Sequence, residues 1–197
     1  MRKCMLLLLA MAMFFACDDG VQKAYWDDGK IKSELRYENG KLNGECVWYT
    51  QNGGLMKKAH YKDDVLEGQC VSWHPNGKMA SEECYVNGKL DGEAKKWYDN
   101  GQLFQEGQYA EGMMDGQWFI FYPSGALASK ADYVMGTGKQ TCYEESGYKC
   151  LEVSYVDNLK HGKEIYQYYL IAKKLKEKIL EKIKLNSMKN LINILKK

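Results

Sequence analysis

Residues 73–93 read WHPNGKMASEECYVNGKLDGE, and the landmarks of this stretch recur every 24 residues along the chain. The recurring positions are a glycine in a first turn, a tyrosine, and a glycine that follows a second turn. They are Gly29, Gly53, Gly77, Gly101 and Gly125; Tyr37, Tyr61, Tyr85, Tyr109 and Tyr133; and Gly44, Gly68, Gly92 and Gly116. A constant period of this length marks a repeat array. The sequence therefore predicts tandem copies of one small structural unit.

Each unit contains two turn signals, separated by runs in which apolar and polar residues alternate. In the stretch above, Asn76-Gly77 is the first signal and the glycine-bracketed segment 87–92 is the second. Alternation with a period of two is typical of half-buried strands, and Asn-Gly pairs favour tight hairpins. The predicted fold is mainly β: an elongated single-layer antiparallel meander of stacked hairpins, followed by a C-terminal amphipathic α-helix.

A sixth unit is present in altered form. Its landmarks are Tyr143, Gly147, Tyr155 and Gly162. Gly125 and Gly147 are only 22 residues apart, so two residues are missing between units. Asp64 and Asn158 occupy positions that are glycine in other units, and both residue types tolerate left-handed backbone.

These units resemble the MORN repeat variant of bacterial proteins, whose pattern is W/Y-x-x-x-G-x-L-x-x-x-x-x-Y-x-x-G-x-x-x-G. The resemblance covers Tyr25 to Tyr166. It implies an elongated, twisted single-layer sheet of stacked hairpins. Proteins of this family include MORN-repeat lipoproteins and antitoxins of toxin–antitoxin systems. The resemblance therefore implies, as one alternative, an antitoxin or immunity protein that neutralises a cognate toxin.

The N-terminus has the pattern of a lipoprotein signal peptide. Arg2 and Lys3 precede an apolar run of 11 residues, 5–15, which is too short to span a bilayer. Residues 14–17, FFAC, resemble a bacterial lipobox, although Phe15 stands where a small residue is usual. By that resemblance Cys17 would be lipidated, first with diacylglycerol and then with an acyl chain such as palmitate. A plain secretory signal with an incidental cysteine is the alternative.

The predicted organisation follows from these segments. Residues 1–16 are a signal peptide, 17–24 a lipidated tether, 25–166 six hairpin repeats and 167–197 a basic helical tail. The expected location is the bacterial cell envelope, with the protein anchored to a membrane through Cys17. The sequence does not distinguish the inner from the outer membrane.

The tail is basic and the body is acidic. Residues 170–197 contain nine lysines and two glutamates, whereas 17–169 contain 17 basic and 24 acidic residues. Nucleic acid is not expected as a partner, because phosphate contacts need a basic surface. Within the glycine-free stretch Glu164–Lys184, apolar residues recur at helical spacing. Three interpretations are open: a cap on the last hairpin, a helix that binds membrane lipid, or a poorly ordered tail.

The cysteines and histidines show no metal or catalytic pattern. Cys46 and Cys70 hold equivalent positions with one strand between them, and the resulting separation is too large for a disulfide. Cys142 and Cys150 flank a turn and are the candidates for a disulfide in an oxidising compartment. We find no metal-ligand spacing, catalytic motif or phosphate loop, so no metal, cofactor or enzymatic activity is expected.

The candidate binding surface is aromatic. One predicted ladder consists of Tyr37, Tyr61, Tyr85, Tyr109 and Tyr133, and a second consists of Tyr49, Trp73, Trp97 and Phe121. Both are predicted to lie on one aromatic face. The rings either stand in for a missing second layer or form a surface for a protein or peptide partner. The predicted function is a membrane-anchored, non-catalytic protein-interaction scaffold. A repeat protein that binds lipid through its basic tail is a further alternative.

Overall fold

The computed structural model describes residues 20–166, 174–185 and 188. The strands are β1 (Gly20–Tyr25), β2 (Ile31–Glu38), β3 (Lys41–Leu42), β4 (Gly44–Tyr49), β5 (Leu55–Lys62), β6 (Val65–Trp73), β7 (Met79–Val86), β8 (Lys89–Trp97), β9 (Leu103–Ala110), β10 (Met113–Phe121), β11 (Leu127–Val134), β12 (Thr137–Tyr143), β13 (Lys149–Val156) and β14 (Leu159–Tyr166). A helix, α1, spans 174–185.

The strands form one open antiparallel sheet. Every strand pairs with its neighbour along the chain, and β3 is a short first segment of the return strand that continues as β4. Strands that are not adjacent in this order make few contacts in the described part of the chain. The prediction of a single-layer meander of hairpins is therefore confirmed.

Two kinds of turn build the hairpins. In the first, His74 N donates to Lys78 O and Gly77 N donates to His74 O, with Gly77 at a φ of +83°. This is a three-residue loop that needs glycine at its left-handed last position. In the second, Asn87 and Gly88 both have positive φ, as a two-residue hairpin turn requires.

The second turns confirm the predicted left-handed substitutions. Asp64 has a φ of +69° and Asn158 a φ of +64°, at positions that are glycine in the other units. Short side chains that bond locally make this backbone region accessible to Asn and Asp. Both turns therefore keep their left-handed backbone conformation although the glycine is replaced.

The two missing residues remove a bulge. Asp115 pairs with Gln108, and Phe119 pairs with Glu106, so β10 holds two more residues than β9 across this interval. Between β11 and β12 the pairing runs without a shift from Val134–Thr137 to Ser129–Cys142. Because the loss is an even number of residues, the alternation of faces is preserved.

The predicted tether is in part a strand. Residues 17–24 were predicted to be a lipidated tether, but β1 pairs with β2 from Gly20–Tyr37 to Tyr25–Ile31. Lys23 also forms an ion pair with Glu34 at 2.7 Å. All six residues of β1 are exposed, so cross-strand bonding rather than an apolar pattern holds the strand. The predicted signal peptide and Cys17 lie outside the described residues.

The first residues of the stretch with helical spacing belong to the sheet. β14 extends to Tyr166, so residues 164–166 of the predicted helical stretch are strand. In α1 the apolar side chains of Leu175, Ile179 and Ile183 are 57, 51 and 56% exposed. The last hairpin therefore does not cover these three side chains, and the rest of the predicted tail lies outside the described residues except for 188. Within the described residues, no helix has the length and hydrophobicity to cross a membrane.

Candidate interaction surfaces

One face of the sheet carries the first aromatic ladder, and we call it the tyrosine face. Tyr85 lies opposite Gly68 on one side and Leu90 on the other. Tyr37, Tyr61 and Tyr109 likewise lie between a glycine and a leucine or methionine, whereas Tyr133 lies between two glycines. Beside this row runs a row of small residues, including Cys46, Ala59 and Ala94, which are at most 1% exposed. Flanking larger side chains shield the small ones, so this face contains the core of a sheet without a second layer.

Part of the tyrosine ladder is structural. The ring of Tyr109 meets that of Trp118 edge-on at 4.8 Å, and Tyr133 meets Tyr155 at 5.7 Å. Tyr133 is 3% exposed and packs in a cluster with Ala94, Trp118 and Ala131. Edge-to-face aromatic pairs add to the stabilisation that burial provides. Tyr109 and Tyr133 therefore act in packing.

The polar groups around Tyr85 on the tyrosine face bind one another. Tyr85 donates to Glu83 at 3.2 Å, and Lys96 forms an ion pair with Glu83 at 3.2 Å. Burial first, and the Glu83 carboxylate second, raise the pKa of Tyr85 to about 12. Tyr85 is therefore a neutral hydrogen-bond donor at physiological pH, bound within its own sheet.

The second ladder lies on the opposite face, which corrects the prediction of a single aromatic face. Tyr49 donates to Glu34 at 3.1 Å, and Glu34 pairs with Val47, one residue away from buried Cys46. Phe121 stacks on Phe119 at 6.5 Å, and Phe119 pairs with Lys130. Side chains one residue apart on a strand point to opposite faces. The structure therefore separates the two ladders by the thickness of the sheet.

The odd or even number of each residue on its strand predicts this separation. The two-residue turn at Asn87 and Gly88 pairs Tyr85 with Leu90, so the tyrosine face takes odd positions on β7 and even positions on β8. Trp97 is odd-numbered on β8 and falls on the other side. The sequence signal was the length of the second turn.

We call this second face the charged face. Its central row crosses the sheet and is mainly charged: Lys23, Glu34, Val47, Lys58, Val71, Glu82, Lys95, Glu106, Phe119, Lys130, Thr141 and Glu152. Tyr49, Trp73, Trp97 and Phe121 lie toward the first turns on the same face, each of them half-buried. An open groove of about 490 Å³ crosses the row between Glu93 and Phe119. The charged face thus offers aromatic rings beside alternating charges and is open to solvent.

A set of hydrogen bonds between units was not predicted from the sequence. The residue after three of the four ladder aromatics bonds to the backbone of the next unit: His74 Nε2 contacts Trp97 O at 2.9 Å, Tyr98 donates to Phe121 O and Tyr122 donates to Tyr143 O, both at 2.8 Å. The 24-residue recurrence of positions 74, 98 and 122 was the available signal. These rungs fix the spacing between units and so hold the aromatic row in line.

The predicted disulfide is not formed. Cys142 pairs with Leu151, and Cys150 lies at the register shift between Leu151 and Lys149. The pairing is therefore offset by one residue from the register that a Cys142–Cys150 bond needs. Cys46 and Cys70 are buried, and desolvation raises the pKa of both thiols. Buried thiols of this kind are poor nucleophiles.

No metal-binding cluster is found in the described ranges 20–166, 174–185 and 188. There, groups of three or more His, Cys, Asp or Glu placed to hold an ion are absent. The three histidines lie on different elements: His60 on β5, His74 after β6 and His161 on β14.

Comparison with solved structures gives a weak likeness. The chain is similar to part of a structure described as "Crystal structure of accessory secretory protein 1,2 and 3 in Streptococcus pneumoniae", at 15% identity and a TM-score of 0.21. The alignment covers 60% of this chain and spans one fifth (20%) of that one. Among curated proteins, nothing matches.

Comparison with protein families gives a clear result. The family described as MORN repeat variant matches five tandem segments, 18–39, 42–63, 66–87, 90–111 and 114–135. Each segment ends at a second turn, so each contains one hairpin closed by a first turn. The hairpin of β12 and β13 lies beyond them and closes with the same bonds, from Glu144 N to Tyr148 O and from Gly147 N to Glu144 O. The five matched segments cover more than half of the chain, which belongs to the MORN repeat variant family.

Proposed function

We propose that this repeat protein is a membrane-anchored envelope lipoprotein whose sheet is a non-catalytic scaffold for a protein or peptide partner. The observation that carries the proposal is the charged face. It places Tyr49, Trp73, Trp97 and Phe121 in one half-buried row beside alternating charges. Tyrosine and tryptophan provide much of the binding energy in protein interfaces.

Regular spacing suits an extended partner. Successive units place Trp73 and Trp97 two strands apart, which is roughly 9.5 Å. The central row supplies charges between them, with Glu82 on β7 beside Lys95 on β8. Charged groups at the margin of an aromatic patch contribute specificity and association rate. A partner with apolar anchors and alternating charge at this spacing would match the face.

The side-chain arrangement supports a non-catalytic role. Nucleophilic catalysis needs a nucleophile, a base in hydrogen-bond reach and a group that orients the base. Cys46 and Cys70 are buried with raised pKa values, and the ring of His74 is bound to a backbone carbonyl. The Glu83 carboxylate is bound by Tyr85 and Lys96.

The anchor would hold the sheet close to the bilayer. Cys17 precedes the first residue of β1, Gly20, by three positions. At about 3.5 Å per extended residue, β1 would begin within roughly 10 Å of the acylated cysteine. Radiolabelled palmitate should label the wild-type protein and not Cys17→Ser. Labelling of the Cys17→Ser variant would overturn the anchor.

The binding role is tested on the charged face. In Trp73→Ala/Trp97→Ala, capture of the partner from envelope extracts by crosslinking should be lost while circular dichroism and the melting temperature change little. Trp73→Phe/Trp97→Phe should retain most of the capture. As a matched pair on the tyrosine face, Leu66→Ala/Leu90→Ala should lower the melting temperature. Loss of folding in the tryptophan pair would instead assign that row to packing, and unchanged capture would remove the binding role.

A further inference from the structure

The helix α1 has an apolar stripe that the sheet does not cover. Leu175, Ile179 and Ile183 are each more than half exposed, at 57, 51 and 56%. They are spaced four residues apart, which places them on one side of a helix. An exposed apolar stripe on a charged helix indicates a surface that another phase or molecule covers.

Lysines border this stripe on both sides. At about 100° per residue, Leu175 and Ile183 lie roughly 40° to either side of Ile179. On the same projection, Lys182 and Lys176 lie roughly 60° to either side. Long lysine side chains in such positions can extend past an apolar surface and place their ammonium groups at its edge.

Glutamates occupy the opposite pole. Glu177 and Glu181 lie about 160° from Ile179, so they point away from the stripe. Over 174–185 there are five lysines and two glutamates. An anionic phospholipid surface matches all three features, because acyl chains take the stripe, phosphates take the bordering lysines and water takes the glutamates.

We propose that α1 lies flat on an anionic phospholipid surface, as a second membrane contact that is independent of lipidation at Cys17. The acidic sheet of the same chain is the competing occupant. The structure leaves the stripe of α1 exposed although that sheet is available, which favours the membrane.

The test measures hydrogen exchange in the full chain. The protein is reconstituted into vesicles of phosphatidylcholine alone and into vesicles that also contain phosphatidylglycerol. Amides of 174–185 should exchange at least about tenfold more slowly on the anionic vesicles than on the neutral ones. Flotation of the chain with neutral vesicles depends on the Cys17 anchor and not on α1. Failure to float would therefore count against the anchor alone, and the experiment distinguishes the two membrane contacts.

Matched variants test the geometry. Lys176→Gln/Lys182→Gln removes the bordering lysines, and Lys174→Gln/Lys184→Gln removes the same charge about 140° from Ile179. Glutamine keeps helix propensity close to that of lysine. The first pair should abolish the protection on anionic vesicles, and the second should keep most of it. Equal losses in both pairs, equal exchange on the two vesicle types, or protection without vesicles would overturn the proposal.

Discussion

The side chain of Asn158 reaches Met114, 44 residues earlier in the chain: Met114 N donates to Asn158 Oδ1 at 2.9 Å. Asn158 Nδ2 also donates to Gly112 O at 3.1 Å. The hairpin of β11 and β12 lies between these units and is two residues shorter than the others. Asn158 therefore reaches past the shortened hairpin and ties the altered sixth unit to the regular array.

We expect Asn158→Gly to lower the free energy of unfolding by about 2 kcal/mol, because it loses two part-buried hydrogen bonds and keeps a tolerated backbone. Asn158→Ala should cost about 1 kcal/mol more, since its φ of +64° disfavours alanine. Asp64→Gly is the control: Asp64 holds one exposed bond, from Leu42 N, and its loss should cost less than about 1 kcal/mol. Urea unfolding measures all three. Equal costs for Asn158→Gly and Asp64→Gly would show that the tie adds nothing.

The absence of a side chain at Gly107 makes room for the indole ring of Trp118. A Cβ on Gly107 would lie 2.2 Å from Trp118 Cδ2, and in the neighbouring unit the corresponding pair is Glu83 and Ala94. We expect Gly107→Ala to destabilise by about 1–3 kcal/mol through overpacking. On a Trp118→Ala background the same change should cost almost nothing. Additive costs in this double-mutant cycle, measured by thermal unfolding, would argue against the contact.

Each of the inter-unit hydrogen bonds should contribute separately to the free energy of unfolding. Tyr98→Phe and Tyr122→Phe each remove a hydroxyl that donates to a backbone carbonyl at 2.8 Å, and each should cost about 1 kcal/mol. Tyr148 is 73% exposed, so Tyr148→Phe should leave stability unchanged. Chemical denaturation compares the three. If the rung variants behave like Tyr148→Phe, side-chain rungs do not set the spacing of the units.

The pKa of Glu34 should lie below its ordinary value of 4.5, because Lys23 and then Tyr49 donate hydrogen bonds to its carboxylate. A lowered folded pKa means that this contribution to stability is present above about pH 4.5 and is lost as the pH falls through the folded value. We expect Lys23→Met to return the pKa toward 4.5 by more than Tyr49→Phe does. Carbon NMR titration of the carboxyl measures each value. A Glu34 pKa that is insensitive to both changes would contradict the pairing.

Much of the fold could be predicted because its contacts are local. The turn residues Asn87 and Gly88 fix a two-residue loop, and that loop sets the pairing of Tyr85 with Leu90. The same signals recur in each unit, so one correct hairpin gives the whole meander. The lost glycines at Asp64 and Asn158 could also be interpreted from their residue types.

Other features depend on contacts that no local pattern encodes. All six residues of β1 are exposed, and its bonding to β2 makes it a strand. The bond from Met114 to Asn158 exists because the bulge is missing between β11 and β12, a change of pairing that composition does not show. Trp73 and Trp97 lie on the other face of the sheet from the tyrosines because of the length of the second turn. The prediction of one aromatic face did not take that length into account.

The stacking of units in one open sheet is tested most directly by distances along the charged face. Lys58 on β5 and Lys130 on β11 lie in the same cross-strand row, six strand spacings apart. Spin labels on ketone-bearing residues at these positions leave the native thiols intact, and electron–electron dipolar spectroscopy gives their separation. At about 4.8 Å per strand we predict backbone separations of about 29 Å for this pair and about 14 Å for Lys95 with Lys130. A separation for Lys58 and Lys130 no larger than that of the nearer pair would show that the sheet folds back on itself, contrary to this account.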